Sequence, residues 1–78
     1  MKYLEVNYVN KCIKNAILST PKQGGEVNPL VIGDITCTYF DLTNQLMTDK
    51  QVEYIETLPH KQAWAVMKCL KYLQSKVA

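Results

Sequence analysis

The sequence predicts a small single-domain α+β fold in which an antiparallel β-hairpin packs against two to three helices, the longest of them C-terminal. Three observations lead there. The runs PLVI and ITCTYFD are rich in β-branched and aromatic residues and flank the pair Gly33-Asp34, which suits a two-residue type II′ hairpin turn. Segments on either side of them repeat apolar residues at helical spacing. The chain has 78 residues, 47% of them hydrophobic and 21% charged. That is enough for one core and too apolar for a disordered segment.

In chain order, KYLEVNYV reads two ways. Leu4, Val6 and Tyr8 alternate like a half-buried strand, whereas Val6, Val9, Ile13, Ala16 and Ile17 recur at helical spacing. The longer pattern predicts a helix from about Asn7 or Tyr8 to Leu18, capped by Asn7 and preceded by a short extended segment. STPKQGGEVN, with Pro21 and Gly24-Gly25, reads as a surface loop. The hairpin then covers about Leu30 to Asp41, with Ile35, Cys37 and Tyr39 toward the core and Thr36, Thr38 and Phe40 on the wet face. Thr48 with Gln51 forms a capping-box pattern ahead of a short helix over about Asp49 to Thr57. Pro59 fits the first turn of a new helix, so two helices meet at Leu58-Pro59 and the second runs nearly to the C-terminus.

Charge is unevenly spread. Net charge is +2, yet residues 1–25 sum to +3, residues 26–56 to −5 and residues 57–78 to +4. All nine cationic side chains are lysines. Without arginine, the fork that reads guanine and grips phosphate is missing, which weighs against sequence-specific nucleic-acid recognition. No apolar run approaches the length of a membrane span, and no secretory signal is evident, so a soluble, cytoplasmic protein is expected.

Cys12, Cys37 and Cys69 are separated by 24 and 31 residues, with no Cys-x-x-Cys pair. Each sits among apolar neighbours, and the odd count favours free thiols in a reducing compartment. A zinc site built from them and His60 lacks the closely spaced ligand pairs that such sites use. His60 and Cys69 are nine positions apart, about half a turn out of phase on one helix, and cannot form a dyad within it. No phosphate loop, nucleophile elbow or metalloprotease motif is present, so no catalytic residue, metal or cofactor is expected.

The candidate contact surface lies on the last helix. Ala63, Val66, Met67, Leu70, Leu73 and Val77 share its core side, and Lys61, Trp64, Lys68, Lys71 and Tyr72 share the opposite half. Aromatic rings between ammonium groups supply contact area, stacking and charge for an acidic protein or single-stranded nucleic acid. Two arrangements are open for Trp64. It can stand on this face or, with somewhat more weight because tryptophan is heavily buried on average, lie beneath the N-terminal segment or the 19–28 loop. Glu53 and Glu56, one turn apart on the short helix, add an acidic candidate surface whose plainer reading is a solvated helix face.

The string from Thr48 to Lys76, with its Leu58-Pro59 break and lysine-bearing last helix, resembles small phage-encoded anti-CRISPR inhibitors of type I systems, as do the chain length and the Met1-Lys2-Tyr3 opening. The resemblance implies a non-enzymatic α+β protein that docks on a CRISPR effector subunit, with the acidic middle and Tyr3 or Tyr8 also engaged. The functional expectation is therefore a small protein that binds and regulates or inhibits a protein partner. The alternative is a nucleic-acid-binding module on the Lys/aromatic face, using Lys61, Lys68, Lys71, Lys76, Trp64 and Tyr72. Homodimerisation through exposed aromatics is a further option.

Overall fold

A computed structural model describes residues 2–77, and among them there are helices and no strand. Four helices follow one another: α1 (Val6–Leu18), α2 (Pro29–Thr43), α3 (Asp49–Glu56) and α4 (His60–Val77). The predicted α+β class is therefore wrong, and the error lies in one segment. The Leu30–Asp41 hairpin does not form; its residues make the middle of α2.

The physical reason is legible around Asn28. Its side chain accepts a hydrogen bond from the Leu30 amide at 2.9 Å, and Pro29 occupies the first helical position. Asparagine then proline is a strong helix start, since proline's missing N–H is one the first turn leaves unpaired anyway. Val31, Ile35, Tyr39 and Leu42 then fall on one buried stripe with Thr38. That spacing is helical. Cys37, expected inward, is exposed, and Thr38, expected outward, is buried. Gly33-Asp34 lies within the helix and makes no turn. Asn44, with φ 58° in the left-handed region, ends α2, and its amide bonds the Phe40 carbonyl.

The other three helices lie close to expectation. α1 starts at Val6, its capping position is Glu5, and Asn7 caps nothing. The extended residues before it are tied down by the Leu4 amide, which donates to the Leu42 carbonyl at 2.8 Å and so satisfies one orphan acceptor at the end of α2. Thr48 and Gln51 form the full capping box of α3. α4 begins directly after Pro59, and loop carbonyls serve its first amides: His60 donates to Gly25 and Lys61 to Gln23, at 2.8 and 2.9 Å.

α4 is the organising element. It packs along both α1 and α2, while α3 closes on α2. Ala63, Val66, Leu70 and Leu73 form its buried stripe, Met67 is partly buried and Val77 is exposed. The core joins these to Val9, Ile13 and Ile17 of α1, the α2 stripe, and Ile55 and Leu58. Each large aliphatic so buried stabilises the fold by about 1.5–3 kcal/mol relative to exposure. One polar node crosses this core. Tyr39, only 1% exposed, donates its hydroxyl to Asn10 Oδ1 at 2.9 Å, and Gln51 Nε2 donates to the same oxygen at 3.2 Å, so α1, α2 and α3 share one acceptor.

Candidate functional site

α1 and α4 run antiparallel in a defined register. Gln62, near the start of α4, reaches the end of α1, donating to the Ile17 and Thr20 carbonyls at 3.0 Å each. One helical stretch along, the Cys69 thiol donates to the Cys12 carbonyl at 3.7 Å. Farther still, Tyr72 stands close enough to Tyr8 to influence its ionisation.

Together these two helices carry Lys11, Lys14, Lys61, Lys68, Lys71 and Lys76 and no carboxylate. α2 and α3 carry Asp34, Asp41, Asp49, Glu53 and Glu56 against the single Lys50. The sequence's charge blocks thus become two chemically different sides of the fold. They meet at the α2·α4 seam, where Lys71 Nζ lies 3.2 Å from Asp34 Oδ1 and Gln74 Nε2 lies 3.3 Å from Asp41 Oδ2. Among the described residues Lys71–Asp34 is the single ion pair.

Of the residues singled out from sequence, Lys61, Trp64, Lys68, Lys71 and Tyr72 all project from α4 and are exposed. Trp64 is 44% exposed, which corrects the heavier expectation of burial. Its ring lies 5.9 Å from that of His60, tilted by 35°, and the 19–28 loop, expected as a possible cover, bonds to the His60 amide through the Gly25 carbonyl and leaves the indole exposed. Tyr72 is 59% exposed, and the Lys76 ammonium stands 5.3 Å from the centre of its ring, a cation–π arrangement. Lys61 Nζ contacts Gln23 Oε1 at 3.3 Å, which anchors the loop to α4. Lys71 is partly neutralised by Asp34.

Glu53 and Glu56 do not join this group. They are exposed on α3, the helix that closes on α2, and no hydrogen bond or ion pair links them to the α4 lysines. Lys14 also points elsewhere: with Tyr54, Ile13, Ile17, Met47 and Ile55 it lines a shallow groove of about 440 Å³ between α1 and α3.

Tyr8, exposed on α1 and near Tyr72, extends the α4 surface, Lys11 is exposed one turn farther along α1, and neither was expected on that surface from the last helix alone. Both precede or follow the buried Val9 by one or two positions, so they face away from the core on a helix that pairs with α4. The Tyr8 phenol is held above its ordinary value, chiefly by repulsion between its ionised form and Cys12, with smaller effects from Cys69 and Tyr72. The Cys69 thiol is likewise raised, first by burial and then by Cys12. Two tyrosines and two thiols thus share one seam.

The three cysteines and His60 do not converge. Cys12 and Cys69 meet at the α1·α4 seam, Cys37 is exposed on α2, and His60 sits against Trp64. Among the described residues no three His, Cys, Asp or Glu side chains come together as metal ligands would. No described helix is long and apolar enough to cross a membrane. No family model, curated protein or solved structure matches the chain.

Proposed function

We propose that this chain is a non-enzymatic binding domain that regulates a protein partner, docking the exposed side of α1 and α4 on an acidic surface of that partner. The observation that carries the reading is the segregation of charge: the two helices hold six lysines and no carboxylate, Lys14 alone turns toward the α1–α3 groove, and among the described residues only Lys71 has an acidic partner. A like-signed field across one side of a small domain steers an oppositely charged protein toward it and rejects basic ones. Tyr8, Trp64 and Tyr72 add large amphipathic contact area among those charges, the composition of an interface centre.

Single-stranded nucleic acid is the second reading, favoured by the same rings, on which bases stack between lysine–phosphate contacts. The absence of arginine weighs on the protein side, since lysine offers point charge without the bidentate fork. A tagged pull-down with and without nuclease separates the two. The protein reading expects one protein retained in near-equal amount after nuclease and lost when Lys68 and Lys76 are both changed to Glu. Loss of all captured material on nuclease treatment would assign the face to nucleic acid.

A further inference from the structure

Cys12 and Cys69 are half-buried on adjacent antiparallel helices, and both are free thiols. The Cys69 sulfur lies 3.7 Å from the Cys12 backbone carbonyl, so it has already reached the main chain of the other cysteine. Disulfides require Cα atoms about 4.4–6.8 Å apart, closer than the ordinary 8–10 Å between helix axes, and therefore need small side chains at the crossing. Ala65 precedes Cys69 by one helical turn on α4 and Ala16 follows Cys12 by one turn on α1, both half-buried, so a small side chain flanks each cysteine.

We propose that Cys12 and Cys69 form a reversible intramolecular disulfide that cross-links α1 to α4 beneath Tyr8 and Tyr72. The oxidant is a low-molecular-weight disulfide such as oxidised glutathione. A thiolate of the pair attacks it, releasing one glutathione thiolate and leaving a mixed disulfide. The second thiolate attacks the cysteine sulfur of that mixed disulfide, and the second glutathione leaves. The two cysteines lose two protons and two electrons, and the glutathione disulfide gains them. Burial raises the Cys69 thiol, so Cys69 must first release its proton to solvent before it attacks as a thiolate, and closure of the bridge speeds up as pH rises. Cys37 is exposed on α2, outside the seam, and provides an internal comparison.

The test uses the full chain carrying Cys37→Ser, equilibrated in glutathione buffers of increasing oxidised fraction, acid-quenched and read by intact mass. The expected product is a monomer lighter by two hydrogens, without bound glutathione, restored by dithiothreitol. Its melting temperature should exceed that of the dithiol by several degrees, because the cross-link restricts the unfolded chain. Cys12→Ser and Cys69→Ser in the same background should each leave one thiol that ends as a glutathione adduct. A Cys37→Ser chain that stays a dithiol, carries two glutathiones, or cross-links between molecules would overturn the proposal.

Discussion

The side-chain amide of Gln62 donates to the carbonyl of Ile17 at 3.0 Å, across the seam from one helix's start to another's end. A second bond from the same nitrogen reaches the Thr20 carbonyl just beyond α1, so one amide ties the end of α1 and the loop that follows it to α4. Gln62→Leu should therefore destabilise the fold by about 1–3 kcal/mol, since it removes both bonds and leaves the Thr20 carbonyl without its partner, while Ile17 keeps the bond from the Thr20 amide. Chemical denaturation of the two proteins measures it. A change within about 0.5 kcal/mol would show that water replaces the amide.

The two glycine-bearing segments give opposite predictions. Gly24 has φ +100°, and a Cβ there would lie 3.1 Å from His60 Cβ and 3.3 Å from the Lys61 amide nitrogen. Gly24→Ala should destabilise by roughly 1–3 kcal/mol through backbone strain and crowding at the start of α4. Gly33 lies inside α2 with open space where a Cβ would go. Gly33→Ala should stabilise by about 0.5–1 kcal/mol, because alanine is the better helix former. A hairpin with a type II′ turn at Gly33 would instead be weakened, so the sign of this one change distinguishes the two folds in thermal melts.

Thiol reactivity should be ordered. Exposed Cys37 should alkylate first and Cys69 last, since burial and the neighbouring Cys12 both hold the Cys69 proton. Time-resolved alkylation read by peptide mapping checks the order. The same shift has a sign for stability: the folded state binds this proton more tightly than the unfolded one, so its contribution declines as pH rises above the ordinary thiol range. Denaturation midpoints should fall in that alkaline window, and less steeply in Cys69→Ala.

Trp64 is the sole tryptophan and is 44% exposed, partly stacked on His60. Its emission should be that of a half-solvated indole, open to acrylamide quenching in the free protein. Binding of a partner on the α4 face should shift the emission to the blue and protect the ring from acrylamide. Emission already at short wavelength and insensitive to quencher in the free chain would mean that the ring is buried.

Much of the helical framework could be read from local chemistry. Thr48 and Gln51 announced α3, Pro59 marked the break before α4, and the period of Val9, Ile13 and Ile17 defined the buried side of α1. α2 was misread because two signals conflict within it. Val31, Ile32, Ile35, Thr36 and Thr38 have the β-branched character of a strand, while the Asn28 cap, Pro29 and the Val31–Ile35–Tyr39–Leu42 spacing dictate a helix. Burial against α4 decides for the period over the propensity. The exposed side of α4 followed from its own period, but the Tyr8 and Lys11 extension depends on how α1 pairs with α4. The same pairing brings Cys12 to Cys69 across 57 positions of chain, which no local pattern encodes.

The most direct measurement is binding of the partner recovered by nuclease-resistant pull-down, compared for the native chain, Lys11→Glu/Lys68→Glu/Lys76→Glu and the control Lys50→Glu on α3, across salt concentration. Docking through α1 and α4 predicts a loss of at least about tenfold in affinity for the triple variant, a native affinity that weakens with salt, and a Lys50 variant close to native. Equal affinity for the triple variant and the native chain at low salt would contradict the assignment of the lysine side as the docking surface.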